Sequence, residues 1–594
     1  MNINLKSKFI LKETIYDYLK KFKYKNNKNI QNEIKENLKR CCFKISYDKR
    51  KYKIDDILFE RTPMNTTINF KGEIINFVKY YSLVYNLSIK DKNQPLILVR
   101  KKDRKKMPIN LFFVPEFCSL PLLKGDITKK DRFLFKEIGK YSKLEPTERV
   151  NKTNEILNLL FEKEKDKDNL DKMNFKEKYK LYGIEIEKFN NFFDAYYMKK
   201  TKLYGGNNQE INSNDRVFPI FKKKDMTNWA CFYEKNDYND AKNLYDGLIK
   251  ASNKFGIKIA EPKWIEMESN SSAKDWTDLA DDYFGNNKSD YDFAIFLLGK
   301  KYNIYTQLKK NSLCKNGYVS QVVRVKTIQK KNALSVYSNL LLQINTKLGG
   351  ISYKIEDNSI NERKLMVVGV NSSYIKGKGI GVGMVSTIND SFTNFFNKET
   401  IIKEEDYKEQ GQYYIKNVIE LAFEAYKNEN KELPRAIIIY RQGISLKQKE
   451  YLKSEITQID LFCKIKNILY YYIIVNTKTN FKFFEKYNNK FTNPGSGLLV
   501  IDGVTNKNFF EFYIQPHEVT QGSAIPTCFL VAYGNLNSPE FVPKFTYDLC
   551  HLYNYSRAIS VPNVIKAAEK LTKMTIKFIN SELNKNFEKG QAYI

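Results

Sequence analysis

The sequence predicts a multidomain protein of mixed α/β and α+β class, and three features of the chain support this prediction. Its 594 residues are enough for roughly three to five domains. Between residues 221 and 350, short apolar runs alternate with helical patterns, as in a Rossmann-like parallel sheet covered by helices. Residues 365–370 form an unbroken apolar run, typical of a buried strand, and small polar residues, a glycine-rich turn and a second apolar run at 380–386 follow it.

The composition favours a nucleic-acid-binding protein. The chain has 100 lysines and arginines against 68 aspartates and glutamates, which gives a formal net charge of +32. A field of this sign attracts polyanions and accelerates their capture, and aromatic side chains, 14% of the residues, can stack on bases. An AT-rich genome, which over-uses lysine, asparagine, isoleucine and tyrosine together, is the alternative explanation of the charge.

Several classes of protein are excluded by the sequence. Its eight cysteines show no CxxC pairing, and His517 and His551, its two histidines, are far apart, so no zinc site, disulfide framework or histidine-rich metal centre is expected. The N-terminus has no signal-peptide pattern, and the longest apolar run, residues 468–475, is too short to cross a bilayer. We expect a soluble protein of a reducing compartment, with no membrane partner.

The stretch around Asn371 resembles part of a known family. The apolar strand ending in Gly369 and Val370, followed by Asn371 and a short polar turn, resembles the opening of the Piwi domain of Argonaute proteins, where an aspartate stands in place of Asn371. PRAIIIYRQG, residues 434–443, resembles the family's strand-YRDG motif, with Gln442 in place of the aspartate. Further matches are QGSAIPT at 521–527 and LCHLY at 549–553. The resemblance implies an RNase H-like fold for residues 351–594.

The same resemblance implies that the nuclease centre has lost its acids. The third catalytic position falls on Glu569, and Glu409 is a looser match for the mobile glutamate of active members. Cleavage by this fold uses two Mg²⁺ ions roughly 4 Å apart, bridged by carboxylates, and Mg²⁺ requires hard anionic oxygen ligands. Since Asn371 and Gln442 offer neutral amides, we expect no catalytic metal and no cleavage.

Three separated matches in residues 221–350 resemble the MID domain of the same family, which binds the 5′ phosphate of a guide RNA. Tyr305 and Lys309 match its Y-x-x-[IL]-K helix, Gln321 its SQ pair, and Lys347 its LQxNxKxGG segment. Tyr305 and Lys309 are four residues apart and share one helix face, where the ring can stack on the first base while the ammonium reaches the phosphate. Taken alone, Lys309 is better explained as a solvated surface lysine.

The resemblance also implies a structural metal at the 5′ phosphate. In Piwi-clade members, a glutamine at the position of Gln343 and the C-terminal carboxylate, here that of Ile594, hold a metal ion together with the phosphate. We therefore expect Mg²⁺ at the guide 5′ phosphate, with Gln343 and Ile594 among its ligands.

Residues 1–120 resemble a PAZ domain, which holds the 3′ end of the guide. The stretches YKIDDILFERTP, QPLILVRKKDRKK and LFFVPEFCSLPLL carry this resemblance. A 3′ end can be held in an aromatic-lined pocket with tyrosine hydroxyls near the last phosphate, and the candidates are Tyr80, Tyr81, Tyr85 and Phe113. Each aromatic is equally well explained as an ordinary core residue. Residues 121–220 form a charged, largely helical linker.

These patterns predict a Piwi-clade Argonaute-like protein that binds a small guide RNA and pairs it with a target RNA. It would act in RNA silencing or RNA processing through recruited protein effectors such as nucleases, and the N domain that usually precedes PAZ is expected to be missing. Two alternatives stay open: an RNA-dependent scaffold that activates a partner enzyme, and a residual Mg²⁺-dependent endoribonuclease using Glu569 and Glu409. The basic run 100–106 favours the nucleus over the cytoplasm.

Overall fold

The protein is represented by a computed structural model, which forms two compact units, residues 3–155 and residues 156–594. The structure describes the chain with the exception of a set of short ranges. These are residues 1–9, 23–26, 40, 49, 103–107, 122–142, 162–179, 181–191, 213–214, 216, 286–290, 300–303, 330–332, 357–363, 376–378, 445–448, 507, 536–539, 554–557, 579–580 and 594.

The first unit is built from short antiparallel strands and helices. Its strands are β1 (Ile10–Thr14), β2 (Cys42–Ile45), β3 (Lys51–Lys53), β4 (Asp56–Leu58), β5 (Thr67–Phe70), β6 (Glu73–Asn76), β7 (Leu96–Lys102), β8 (Pro108–Phe113) and β9 (Cys118–Pro121). Its helices are α1 (Ile15–Lys20), α2 (Lys28–Leu38) and α3 (Phe77–Tyr85), and α4 (Pro146–Phe161) begins at its end. The strands pair in the orders β1-β9-β2-β3, β4-β7-β8 and β5-β6.

The first part of the second unit, residues 196–355, contains a small parallel sheet. Its elements are the strands β10 (Tyr196–Tyr197), β11 (Leu203–Tyr204), β12 (Glu210–Ile211), β13 (Trp229–Glu234), β14 (Lys263–Met267), β15 (Phe293–Leu298), β16 (Val319–Arg324) and β17 (Lys354–Ile355), and the helices α5 (Tyr238–Ser252), α6 (Ala273–Phe284), α7 (Ile304–Lys310), α8 (Val325–Ile328) and α9 (Ala333–Lys347). The order β14-β13-β15-β16 is parallel throughout. This confirms the predicted Rossmann-like alternation of strands and helices.

The rest of the second unit, from Leu365 onward, is built around a nine-stranded sheet that also includes β10. Its elements are β18 (Leu365–Ile375), β19 (Gly379–Thr387), β20 (Phe395–Ile402), β21 (Ala436–Gln442), β22 (Leu469–Asn476), β23 (Glu485–Tyr487), β24 (Lys490–Thr492), β25 (Leu498–Val500), β26 (Phe510–Gln515) and β27 (Thr527–Gly534), with helices α10 (Tyr407–Asn430), α11 (Lys449–Ile465), α12 (Phe541–Leu549) and α13 (Asn563–Lys577). The sheet order is β10-β25-β26-β27-β22-β21-β18-β19-β20, and β23 pairs with β24 separately. This arrangement is the RNase H-like fold that the sequence predicts.

Helices cover both faces of the nine-stranded sheet. Apolar residues of α10 and α11 pack into a cluster on one face, and those of α13 belong to the cluster on the other. Helix α13 contacts β18 and β19 directly. Gly369 allows this close approach, because a Cβ there would lie 2.5 Å from the carbonyl group of Val564. The glycine of the sequence motif therefore sets the distance between helix and sheet.

Strand β18 extends farther than its apolar run predicts. It continues past Val370 because its pairing with β19 runs on through Ile375 and Gly379. Its first seven residues are all buried, as expected for a strand with neighbours on both sides and helices on both faces. Among the described helices, none is both long enough and apolar enough to cross a membrane.

Candidate nucleic-acid-binding site

Lys309 and Lys347 meet inside the protein at the start of β16. Lys309 lies on α7 and Lys347 on α9, and they are 3% and 6% exposed. The Nζ of Lys309 donates to the carbonyl oxygen and to the Oγ of Ser320, at 2.7 and 3.0 Å. The Nζ of Lys347 donates to the same carbonyl at 3.1 Å and to the Oε1 of Gln321 at 2.7 Å. The three sequence-predicted residues Lys309, Gln321 and Lys347 are thus brought together.

This arrangement concentrates positive charge in a place that water does not reach. Burial lowers the pKa of Lys309 to about 8. Burial also lowers the pKa of Lys347 well below its usual value, and the charges of Lys309 and Lys570 lower it further. Within the described part of the chain, no carboxylate lies within ion-pair distance of either ammonium. Buried cations of this kind are costly unless an anion joins them.

Lys570 adds a third cation that the sequence did not suggest. It lies on α13, is half-buried, and its charge acts on Lys347. Burial, and then the charge of Lys566, lowers the pKa of Lys570 to about 7. Since most lysines on helices are solvated, no sequence signal distinguishes this one. The excess of positive charge is therefore contributed by the helices α7 and α9 and by the last long helix, α13.

Tyr305 and Gln343, two further predicted residues, each lie one helical turn before a lysine of this cluster. Tyr305 is half-buried one turn before Lys309, and the ammonium of Lys577 lies 5.3 Å from the centroid of its ring. Gln343 is half-buried one turn before Lys347 on α9. Ile594, the other residue predicted at this site, lies outside the described residues. The predicted metal pair of Gln343 and Ile594 stays a prediction.

A turn of π-helix follows α7 and ties it to the C-terminal segment. This turn, Asn311–Asn316, begins directly after Lys310. The backbone NH of Asn584 donates to the carbonyl of Leu313 at 2.9 Å, and its Nδ2 donates to the carbonyl of Lys315 at 3.3 Å. The C-terminal segment therefore fixes the end of the helix that carries Tyr305 and Lys309, a role that periodicity alone does not reveal.

Asn371 and Gln442 lie side by side at the ends of two parallel strands. They are register partners of β18 and β21, and the Nδ2 of Asn371 donates to the Oε1 of Gln442 at 3.0 Å. The Oγ1 of Thr572 on α13 donates to the carbonyl of Asn371 at 3.3 Å. Both side chains are neutral, and an amide-to-amide hydrogen bond links the two strand ends. We call this pair the Asn371–Gln442 corner.

Glu569, on α13 one turn before Thr572, is held by two lysines of its own helix. Lys566 lies 3.1 Å from its Oε2, and Lys573 contacts its Oε1. Burial alone would raise the pKa of Glu569, but the hydrogen bonds from Lys573 and Lys566 outweigh it and lower the pKa. Glu409 lies in α10, and its side chain is outside the described part of the structure. The carboxylate of Glu569 is thus already neutralised by ammonium groups.

Arg441, the residue before Gln442, forms a buried hydrogen-bond network next to the Asn371–Gln442 corner. Its Nε donates to the Oε1 of Glu455 at 3.0 Å, and both side chains are fully buried. Its other nitrogens donate to the Oγ of Ser372 at 3.0 Å and to the Oη of Tyr407 at 2.9 Å. Burial by itself lowers the pKa of Arg441, but Glu455 raises it well above its usual value. The sequence analysis did not find this network.

The aromatic candidates of the first unit fall into two groups. Tyr81 is 2% exposed and shares a hydrogen bond of 2.8 Å with the hydroxyl of Tyr47, while Tyr80 is half-buried and Tyr85 is 38% exposed. These tyrosines are in mutual ring contact. Phe113 lies in a different cluster, where its ring contacts Phe43 and Tyr52. The structure therefore does not bring Phe113 into ring contact with the other three candidates.

Two family models match the chain. The model described as the Piwi domain matches residues 292–580. The model described as the PAZ domain matches residues 16–141. The first match contains Asn371, Gln442 and Glu569, and the second contains the tyrosine cluster.

Relatives match over almost the whole chain. Protein argonaute-3 of Drosophila melanogaster is 24% identical over 95% of this chain and 65% of its own length. Piwi-like protein 3 of Homo sapiens is 24% identical over 98% of this chain and 67% of its own length. Protein piwi of Drosophila melanogaster is 26% identical over 98% and 69%. The chain thus spans about two thirds of the length of these relatives.

Solved structures share the fold. Drosophila Piwi superposes with a TM-score of 0.69 at 22% identity, covering 98% of this chain and 76% of that protein. Clostridium butyricum Argonaute, determined with a guide DNA and a 19-mer target DNA, superposes with a TM-score of 0.71 at 17% identity over 97% and 76%. The chain therefore contains a PAZ domain and a Piwi domain, and it is related to Argonaute and Piwi proteins over nearly its full length.

Proposed function

We propose that this protein binds a small guide RNA, with the guide's 5′ phosphate at Lys309, Lys347 and Lys570. The observation that carries this proposal is the convergence of Lys309 and Lys347 on the carbonyl oxygen of Ser320, with the charge of Lys570 acting on Lys347. A terminal phosphate supplies two negative charges and several acceptor oxygens, and such charge-assisted hydrogen bonds are among the strongest in proteins. Kluyveromyces polysporus Argonaute, which has the same fold at 15% identity and a TM-score of 0.67, was determined with a guide RNA.

The neighbouring residues supply the remaining parts of such a site. Tyr305 would stack on the first base, and Gln321 would orient Lys347 through the hydrogen bond that they share. A Mg²⁺ ion fits here as a further part of the proposal, because an amide oxygen such as that of Gln343 is a hard ligand and the half-buried side chain lies one turn from Lys347. When bound, this ion would neutralise part of the phosphate charge. The 3′ end of the guide is assigned to Tyr80 and Tyr85, which reach the surface of the tyrosine cluster.

The proposed function is RNA binding without cleavage. Asn371 and Gln442 contribute no charge to a metal, and Glu569 is occupied by two lysines. Among the described side chains, no group of three or more histidine, cysteine, aspartate or glutamate residues could hold a metal ion. A two-metal mechanism needs bridging carboxylates. Silencing or processing of RNA would then depend on proteins recruited to the guide-loaded chain.

The test compares short single-stranded RNAs that carry a 5′ phosphate or a 5′ hydroxyl. We expect the full chain to prefer the phosphate by at least about 10-fold, since one charge-assisted contact contributes roughly 1.5 kcal/mol or more. The double variant K309A/K347A should lose the preference. The matched control is K416A/K453A, which removes two lysines from α10 and α11 on the opposite face of the sheet. Equal binding of both RNAs by the unmodified chain would contradict the proposal.

Cleavage is measured in the same experiment with a complementary target RNA and Mg²⁺. We expect the target to stay intact. Mg²⁺-dependent cleavage that is lost in E569A would instead establish the residual endoribonuclease.

A further inference from the structure

Four aromatic side chains meet at one edge of the small parallel sheet. Tyr233 lies near the end of β13, Trp264 lies on the edge strand β14, and Tyr238 and Tyr245 lie on α5. The ring centroid of Trp264 is 6.0 Å from that of Tyr233, 6.5 Å from that of Tyr238 and 6.0 Å from that of Tyr245. We call these four residues the tryptophan site.

The rings of the tryptophan site stand at steep angles to one another and reach the surface. The planes of Tyr233, Tyr238 and Tyr245 make angles of 79°, 68° and 81° with the plane of Trp264. Tyr238 is 38% exposed, and Trp264 and Tyr245 are half-buried, whereas the other two tryptophans of the chain are 2% and 0% exposed. Rings arranged in this way can present several π-faces to one cation, as in the aromatic cages that bind methylated ammonium groups.

A cation of the protein itself already lies on this site. The ammonium of Lys242 is 4.7 Å from the ring centroid of Tyr238. Lys242 lies four residues after Tyr238 and three residues before Tyr245, so α5 presents all three side chains on one face. The interaction with Tyr238 raises the pKa of Lys242, and the charges of Glu261 and Asp246 raise it further. The tryptophan site therefore stabilises a positive charge.

Carboxylates border the tryptophan site, although the chain as a whole is strongly basic. The Nε1 of Trp264 donates to the Oε1 of Glu261 at 3.0 Å. Glu266 is the register partner of Tyr233 and lies two residues after Trp264, so its side chain is on the same face of the sheet. Burial, and then the charge of Glu266, raises the pKa of Tyr233. In a protein with a formal net charge of +32, this edge is complementary to a basic partner.

We propose that the tryptophan site binds a methylated lysine side chain of a partner protein, and that Lys242 covers the site until this ligand displaces it. An unmodified ammonium is strongly hydrated, and aromatic faces do not replace the hydrogen bonds that it would lose. Methyl groups remove the N–H donors and keep the charge, which suits the cation to such faces. Lys242 occupies the site without methylation because it is tethered beside the rings, at a high effective concentration. This binding does not depend on a guide RNA.

The experiment compares two fluorescently labelled peptides that differ at one residue, a trimethyl-lysine in the first and an unmodified lysine in the second, each flanked by glycine and serine. We expect the full chain to bind the trimethylated peptide about 5-fold more tightly, because two exposed cation–π contacts of ordinary size give a factor of this order. Equal affinity for the two peptides would overturn the inference.

Substitutions of Tyr238 assign the preference to the tryptophan site. Y238F keeps the ring and should keep the preference for the trimethylated peptide, whereas Y238A should lose it. The matched control Y413A removes a tyrosine that is 50% exposed on α10, and it should behave as the unmodified chain does. A preference that survives in Y238A, or that is lost equally in Y413A, would overturn the inference.

A substitution of Lys242 tests whether this residue competes with the ligand. K242Q removes the resident cation, so the trimethylated peptide should bind several-fold more tightly, while E266Q removes an attractive charge and should bind it more weakly. Unchanged or weaker binding by a folded K242Q variant would contradict the displacement. Y238A should keep the preference for RNA with a 5′ phosphate, so a failure of this inference and a failure of the proposed guide binding give different results.

Discussion

Lys309 and Lys347 donate hydrogen bonds to one acceptor, the carbonyl oxygen of Ser320, at 2.7 and 3.1 Å. Two ammonium groups so placed repel each other, and burial penalises the charge of each. The fold holds them together in spite of this cost. A phosphate at the same position would convert the repulsion into attraction, so the cost to stability and the gain in binding have one origin.

Replacing either lysine with methionine should therefore stabilise the RNA-free protein. A pKa held at about 8 instead of 10.5 corresponds to roughly 3 kcal/mol, and the lost hydrogen bonds offset part of the gain. We expect K309M to raise the free energy of unfolding by roughly 1–3 kcal/mol at pH 7. The same variant should bind 5′-phosphorylated RNA more weakly. Urea unfolding and RNA titration measure the two effects.

The pH dependence of this difference has a defined sign. Because the folded-state pKa of Lys309 lies below its unfolded value, the unfolded chain binds more protons between about pH 8 and 10.5, and the stability of the unmodified chain rises with pH there. The advantage of K309M should thus be full below pH 8 and shrink above it. An advantage that does not change between pH 7 and pH 10 would contradict this origin.

Restoring carboxylates to the strand ends should create a metal-dependent protein. In N371D/Q442D, two acids replace the amides that share the 3.0 Å hydrogen bond, and two adjacent carboxylates repel each other. We expect a lower melting temperature without Mg²⁺ and a recovery with it, because Mg²⁺ binds such oxygens. Thermal unfolding with and without Mg²⁺ measures this. Equal responses of the variant and the unmodified chain to Mg²⁺ would show that this corner cannot hold the ion.

The buried pair Arg441–Glu455 should contribute strongly to stability when only one partner is removed. E455Q leaves a buried guanidinium without its carboxylate, which costs roughly 3–5 kcal/mol. The double replacement R441M/E455M should cost less than E455Q, because no unpaired charge remains. E420Q, which breaks the partly exposed Lys416–Glu420 pair, serves as the control and should change stability by about 1 kcal/mol or less. Denaturant unfolding of the three variants tests the order.

Substitutions at Tyr85 and Tyr81 should distinguish an effect on RNA binding from an effect on stability. Tyr85 is exposed, and removing a ring that stacks on a base costs roughly 1–3 kcal/mol of binding. Y85A should therefore weaken RNA binding in a chain that still folds, and the loss of its ring contacts with Tyr47, Tyr80 and Tyr81 should also lower stability. Y81F should affect stability alone, since it removes the buried hydroxyl pair with Tyr47 and costs roughly 0.5–1.5 kcal/mol of stability. Unchanged RNA affinity in Y85A would remove this tyrosine from the proposed 3′-end site.

The sequence predicted strands better than it predicted neighbours in space. The apolar runs at residues 365–370 and 380–386 lie within the observed strands β18 and β19, because an unbroken apolar run bounded by turn residues is typical of a buried strand. The resemblance assigned Asn371 and Gln442 to one degenerate centre, and the structure places them side by side as register partners of β18 and β21. Motif spacing likewise identified Lys309, Gln321 and Lys347. Local pattern was sufficient wherever a family motif specified it.

Contacts between distant segments were not predictable in this way. Lys570 lies on a lysine-rich helix, and only the packing of α13 beside Lys347 distinguishes it from its neighbours. Phe113 and Tyr81 are both aromatic, yet they lie in different clusters because Phe113 packs against Phe43 and Tyr52, whereas Tyr81 packs with the other tyrosines. The pairing of Glu569 with Lys566 and Lys573 could have been inferred from spacings of three and four residues.

The most direct test of guide binding is to identify the RNA that copurifies with the full chain from its own cells. RNA extracted from the purified protein is joined to an adaptor by a ligation that requires a 5′ phosphate, and is then sequenced. The account predicts small RNAs of narrow length that ligate efficiently, and their loss when the protein carries K309A/K347A. RNA fragments of random length without a 5′ phosphate, or equal recovery from the variant, would contradict it.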